Sequence, residues 1–150
     1  MPAARVILLA DDDARDVELT LTALSGLDLP ASVVVVRDGV ELLAYLRGEG
    51  AFRERSPGRL ALVILDVKMP RKDGLEALAE IRSDPVLRST PVVVLTSSQL
   101  EHDVATSHEL GVSAYVVKPV EFARYVEVVR HIGALWGRLA ELRPEPKGEA

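Results

Sequence analysis

A chain of 150 residues, 48% hydrophobic and 27% charged, has the length of one ordinary domain and enough apolar material for a full core. Its formal net charge of −5 argues against a nucleic-acid binder, and the absence of cysteine excludes a disulfide framework and thiolate metal sites. The N-terminus carries no signal peptide and the sequence no apolar span long enough for a membrane helix, so a cytoplasmic protein without a membrane partner is expected.

Arg5 to Ala10 reads as a first strand, with Asp11-Asp12-Asp13 at its exit. Asp13 suits a helix N-cap, and Val17, Leu21 and Leu24 then recur at helical spacing until Gly26. Ser32 to Val36, rich in valine, is a second strand. Asp38 and Glu41 make a capping-box-like pair at the start of a second helix, whose apolar side is Val40, Leu43 and Leu46. Residues 48–59 are polar and glycine-containing and read as a loop. Leu60 to Leu65 is an unbroken apolar run, the pattern of a strand buried on both faces, and Asp66 stands at its exit. Asp73 caps a third helix with Leu75, Leu78 and Ile81 inward, ended by Asp84-Pro85. Pro91 to Leu95 is a fourth strand, followed by Thr96-Ser97. Ser98 and Glu101 predict another capping box, opening a fourth helix with only Leu100 and Val104 as apolar anchors and a stop at Gly111. So thinly anchored a helix is a candidate mobile element. Ser113 to Val117 is a fifth strand, with Lys118-Pro119 after it, and a long last helix runs from Glu121 to Leu142. Residues 1–143 form one domain and 144–150 a polar tail.

Five alternating β–α units predict an α/β fold with a parallel sheet and helices on both faces. Right-handed crossovers favour a doubly wound sheet of order 2-1-3-4-5. Strands one and three are then neighbours at the switch point, where Asp11, Asp12 and Asp66 converge. Adjacent carboxylates from one strand end and a third from its neighbour supply part of the oxygen shell that Mg²⁺ prefers. An aspartate can also act as a nucleophile and form an acyl phosphate. Lys118 would bring a compact cation to phosphate oxygens and Thr96 a hydroxyl donor, so transfer needs little beyond positioning and charge stabilisation.

Four pieces, Leu-Leu-Ala-Asp-Asp-Asp, Leu-Asp-Val-Lys-Met-Pro-Arg-Lys-Asp-Gly, Val-Leu-Thr-Ser and Ala-Tyr-Val-Val-Lys-Pro, lie in order, 30 residues separating Asp66 from Thr96 and 22 separating Thr96 from Lys118. In this the chain resembles the CheY-like receiver domain of two-component response regulators, over about residues 5 to 136, and the resemblance implies a flavodoxin-like fold. It also implies that Asp66 is the phosphoacceptor, that Asp12 binds Mg²⁺ directly and Asp11 through water, and that Lys68 gives its backbone carbonyl to the metal. Thr96 and Lys118 would contact the phosphoryl group, Ser97 is small as access to it requires, and Tyr115 would be the aromatic switch. Lys68 stands where many relatives carry asparagine, which bears on dephosphorylation. The segment Asp-Val-Glu-Leu-Thr at 16–20, the long 48–59 loop and a tryptophan late in the last helix resemble stand-alone receivers paired with phytochrome-type histidine kinases. The implied partner is a histidine kinase, and the implied role is a phosphoacceptor signalling protein rather than an enzyme.

Rival readings are weaker. A haloacid-dehalogenase-type phosphohydrolase needs a second aspartate where Lys68 stands, and a flavodoxin-like FMN carrier would meet repulsion from residues 11–13. A degenerate receiver acting as a scaffold is disfavoured by the intact set. His102, His108 and His131 lack metal spacing and read as surface residues, and Arg53, Arg55 and Arg59 as a solvated loop. On the last helix Phe122, Val126, Val129, Gly133 and Trp136 form a stripe for the sheet. Val128, Leu135, Leu139 and Leu142 form a second stripe, which predicts a homodimer.

Overall fold

The computed structural model describes residues 5–27, 31–52 and 59–137. Its five strands are β1 (Arg5–Ala10), β2 (Ala31–Val36), β3 (Arg59–Leu65), β4 (Val92–Thr96) and β5 (Ala114–Val117), and its helices are α1 (Ala14–Ser25), α2 (Gly39–Arg47), α3 (Gly74–Ser83), α4 (Glu101–Glu109) and α5 (Phe122–Ile132). All pairings are parallel and the order is β2-β1-β3-β4-β5, as expected. A single 3₁₀ turn covers Gly50–Phe52, and a π-helical turn, Gly133–Gly137, continues α5. Among the described residues no helix is long and apolar enough to cross a membrane.

The alternation of strand side chains divides the core in two. Val6, Leu8, Ala10, Val63 and Leu65 point to one face and pack with Leu42 and Tyr45 of α2 and Leu78 and Ile81 of α3. Ile7, Leu9, Leu62 and Ile64 point to the other and pack with Val17 and Leu24 of α1 and Tyr125, Val129 and Ile132 of α5. Burial on both faces is why β3 reads as an unbroken apolar run.

Helix starts follow their caps. Asp13 accepts from the backbone N–H groups of Arg15 and Asp16, and Asp38 from that of Glu41. Asp73 and Glu76 close a full capping box, so Glu76 joins Asp73 in holding this helix start. Four expectations need correction. Ser98 and Glu101 form no capping box: α4 is capped by Leu100 without a side-chain bond, because the Ser98 hydroxyl turns to Asp103 of the same helix. In α2, Val40 is exposed, and Leu42 and Tyr45 are buried instead. In α5, Phe122 is exposed and Tyr125 and Ile132 are buried beside Val129, so the stripe is turned around the helix from the one expected. Val128, assigned to the outer stripe, is half-buried and packs against the sheet-side core. Leu139, Leu142, Arg53, Arg55 and the 144–150 tail lie outside the described residues, as does the Trp136 side chain.

Candidate functional site

The site gathers at the carboxyl ends of β1, β3, β4 and β5. Asp11 leaves β1, its backbone N–H bonded to the Val36 carbonyl at 3.1 Å. Asp66 leaves β3, its N–H on the Ala10 carbonyl at 2.9 Å. Lys118 follows β5, its N–H on the Thr96 carbonyl at 2.7 Å. Sheet pairing therefore carries on one residue past the strands and fixes the backbone of the functional residues. Asp11, Asp66, Thr96 and Lys118 are all buried, an unusual place for three ionisable groups unless they are paired.

They are paired with one another. The Thr96 hydroxyl donates to Asp66 Oδ1 at 2.6 Å. The Lys118 ammonium donates to Asp66 Oδ2 at 2.9 Å and to Asp11 Oδ2 at 2.8 Å. A third carboxylate completes the set: Asp16 Oδ2 lies 2.8 Å from Lys118 Nζ. Sequence reasoning gave Asp16 no part in the site; it stands in the sequence as an acidic residue in the first turn of α1, three positions after the cap, and as the first residue of the 16–20 segment. Burial alone would pull the Lys118 ammonium down, but its bonds to Asp11, Asp16 and Asp66 outweigh that and hold it above the ordinary lysine value. Burial pushes Asp11 up to about 6 against the pull of Lys118. Three carboxylates share this one ammonium, so negative charge is in excess here.

Asp12 is exposed, yet ligand oxygens of Asp11, Asp12 and Asp66 all lie within 4.8 Å of one another. Hard carboxylate oxygens at that spacing, in a site overfilled with negative charge, could hold a divalent cation. Ser97 is exposed at the rim. The Lys68 side chain is 65% exposed and its ammonium lies 3.7 Å from Asp103.

The loop after Asp66 is built by Met-Pro-Arg-Lys-Asp-Gly. Gly74 packs so closely that an added Cβ would sit 2.1 Å from the Asp66 carbonyl oxygen, so only glycine fits. Arg71 takes a positive φ of 63° while its guanidinium binds Asp38 at 2.7 and 2.8 Å. Across the site, the Tyr115 hydroxyl donates to the Ser98 carbonyl at 2.9 Å, which ties β5 to the β4–α4 connection. Burial raises its phenol above the ordinary tyrosine value. The three histidines, His102, His108 and His131, are exposed and distant in role from this cluster, as read from the sequence.

Comparison with known proteins converges on one family. The response regulator receiver domain model matches residues 7–130. Response regulator Rcp1 of Synechocystis sp. is 39% identical over 132 residues, 88% of each chain. Among solved structures, the phosphorylated cyanobacterial phytochrome response regulator RcpA is 41% identical with a TM-score of 0.84, over 91% of this chain and 96% of that one. The Mn²⁺-bound form of Rcp1 gives 38% identity and a TM-score of 0.83, over 94% and 98%. With its strand-end carboxylates, hydroxyl and amine set on this sheet, and with most of its length matched, the chain belongs to the response regulator receiver domain family.

Proposed function

We propose that Asp66 accepts a phosphoryl group from a histidine kinase, and that the protein passes on its phosphorylation state through a changed surface. The observation that carries this reading is Asp66 itself: one carboxylate held at once by the Thr96 hydroxyl and the Lys118 ammonium, beside Asp11 and Asp12. In the transfer a carboxylate oxygen of Asp66 attacks the phosphorus of a phosphohistidine. An O–P bond forms, the P–N bond breaks, and its electron pair returns to the imidazole. Lys118 and Thr96 then neutralise and hold phosphoryl oxygens.

Mg²⁺ fits the donor set of Asp11, Asp12 and Asp66: Asp12 and Asp66 would ligate it directly and Asp11 through water, and Lys68 would add its backbone carbonyl. When bound, it would offset the repulsion between the carboxylates and the incoming phosphoryl group. Membership of the family sets aside the phosphohydrolase and flavin-carrier readings. The relatives named as phytochrome response regulators support a phytochrome-type kinase as the partner. Incubation with a small phosphodonor and Mg²⁺ should label the wild type and leave Asp66→Asn unlabelled; equal labelling would remove Asp66 from the role.

A second reading concerns assembly. Leu135, of the outer stripe on the last helical stretch, is 54% exposed, and a paired copy would cover it in a homodimer. Leu135→Asp should then lower the mass measured by light scattering from dimer to monomer. A wild type that is monomeric at high micromolar concentration, phosphorylated or not, overturns this reading.

A further inference from the structure

Lys118 has three N–H donors, and all three are occupied by carboxylates: Asp11 at 2.8 Å, Asp16 at 2.8 Å and Asp66 at 2.9 Å. An ammonium so saturated has nothing left for a phosphoryl oxygen. If Asp66 is the phosphoacceptor, on which this inference rests, one of the three contacts has to be given up. Asp66 is the group that carries the phosphoryl. Asp11 is 2% exposed, receives the Asp13 N–H at 3.0 Å and belongs to the carboxylate trio that could hold a cation. Asp16 differs on each count. Its side chain is 22% exposed, it lies outside that trio, and release would return its charge to water at little desolvation cost.

We propose that Asp16 is a positioning residue that occupies Lys118 in the unphosphorylated protein and competes with the phosphoryl group for it. Two consequences follow from simple charge. In the resting state Asp16 helps to keep the ammonium aimed into the cluster. On phosphorylation its negative charge opposes the incoming phosphoryl oxygens until Lys118 changes partner. Asp16 also lies beside α5: its backbone carbonyl, not its carboxylate, is 3.4 Å from the Tyr125 hydroxyl, which shares a 2.9 Å hydrogen bond with Thr20. The exchange at Lys118 is thus placed next to the buried contact that joins α1 to the last helix.

The test is the dependence of phosphorylation rate on acetyl phosphate concentration, with Mg²⁺ present. Asp16→Asn keeps an oxygen for Lys118 but removes the charge, and should reach half-maximal rate at on the order of tenfold less donor. Asp16→Ser, which removes the charge with a different shape, should move the same way, and Asp16→Glu should restore wild-type behaviour. Tyr125→Phe loosens the α1–α5 contact without touching the carboxylate and should leave donor dependence unchanged. Unchanged or weaker donor use in both Asp16→Asn and Asp16→Ser overturns the proposal. So does an equal shift in Tyr125→Phe, which would make the effect one of packing. Labelling of Asp66→Asn in the same assay would instead overturn the phosphoacceptor reading, so the two failures are distinguishable.

Discussion

Helices α3 and α4 follow neighbouring strands and are held by opposite means. The first has a complete capping box and buries Ala77, Leu78 and Ile81 fully in the core, and Gly74 at its start presses on the Asp66 backbone. Arg71 and Lys72, just before it, are tied to α2 through Asp38 and Gly39. In α4 the cap has no side-chain bond, and the buried residues are Asp103 and Ser107. Among the described residues the Ser107 hydroxyl has no hydrogen-bond partner, and no residue of α4 is among the buried hydrophobic ones. Its N-terminal turn is held by Ser98 and Lys68 on Asp103, while Arg82 binds the Leu110 carbonyl at 2.6 Å just past its C-terminal end. The loop that follows Asp66 is thus mounted on a rigid frame, and the helix beyond it rests on a few exchangeable polar contacts. A local change of charge at the site would move the second before the first.

Stability measurements can break this contrast. The largest loss is expected for Leu78→Ala in α3, about 2–5 kcal/mol in urea unfolding, because the cavity is closed in on all sides. Asp73→Ala removes one side of the capping box and should cost roughly 1 kcal/mol.

A smaller effect lies in the acid limb of the pH–stability curve. Burial alone would raise the Asp38 carboxyl, but the Glu41 backbone N–H and the Arg71 guanidinium outweigh it and hold the group below the ordinary aspartate value. A folded value below the unfolded one means that stability is fully present above the unfolded value and is lost as pH falls through the folded one. Asp38→Asn should therefore lower stability at neutral pH and flatten that acid limb; a limb unchanged by the substitution would remove the Arg71 tie from the frame around α3. The smallest stability change is expected in α4. Ser107→Ala should stay within about 1 kcal/mol of wild type, since the buried hydroxyl it removes makes no hydrogen bond among the described residues. A loss as large as that of Leu78→Ala would place α4 among the rigid parts.

The sequence was most readable where one physical requirement dominates. Runs of valine and leucine marked all five strands to within a residue or so, and aspartates before glycine or alanine marked three helix starts. Asp11, Asp12, Asp66, Thr96 and Lys118 were legible because each stands just outside an apolar run, where sheet order alone brings them together. Legibility failed where a polar side chain had two possible partners. Ser98 could cap α4 or bind Asp103, and spacing does not say which. Asp16 resembles any acidic residue in a first helical turn until Lys118 is placed beside it. The inward face of α5 is hard to read from spacing because it includes Tyr125, a polar-tipped residue whose hydroxyl finds Thr20 while its ring fills the core.

Hydrogen exchange read by mass spectrometry, with and without a small phosphodonor and Mg²⁺, tests the account most directly. Phosphorylation should change protection across residues 98–115, which hold α4 and Tyr115, and leave α3 as it was; Asp66→Asn should show no change anywhere. A change of equal size in α3, or the same change in Asp66→Asn, would contradict it.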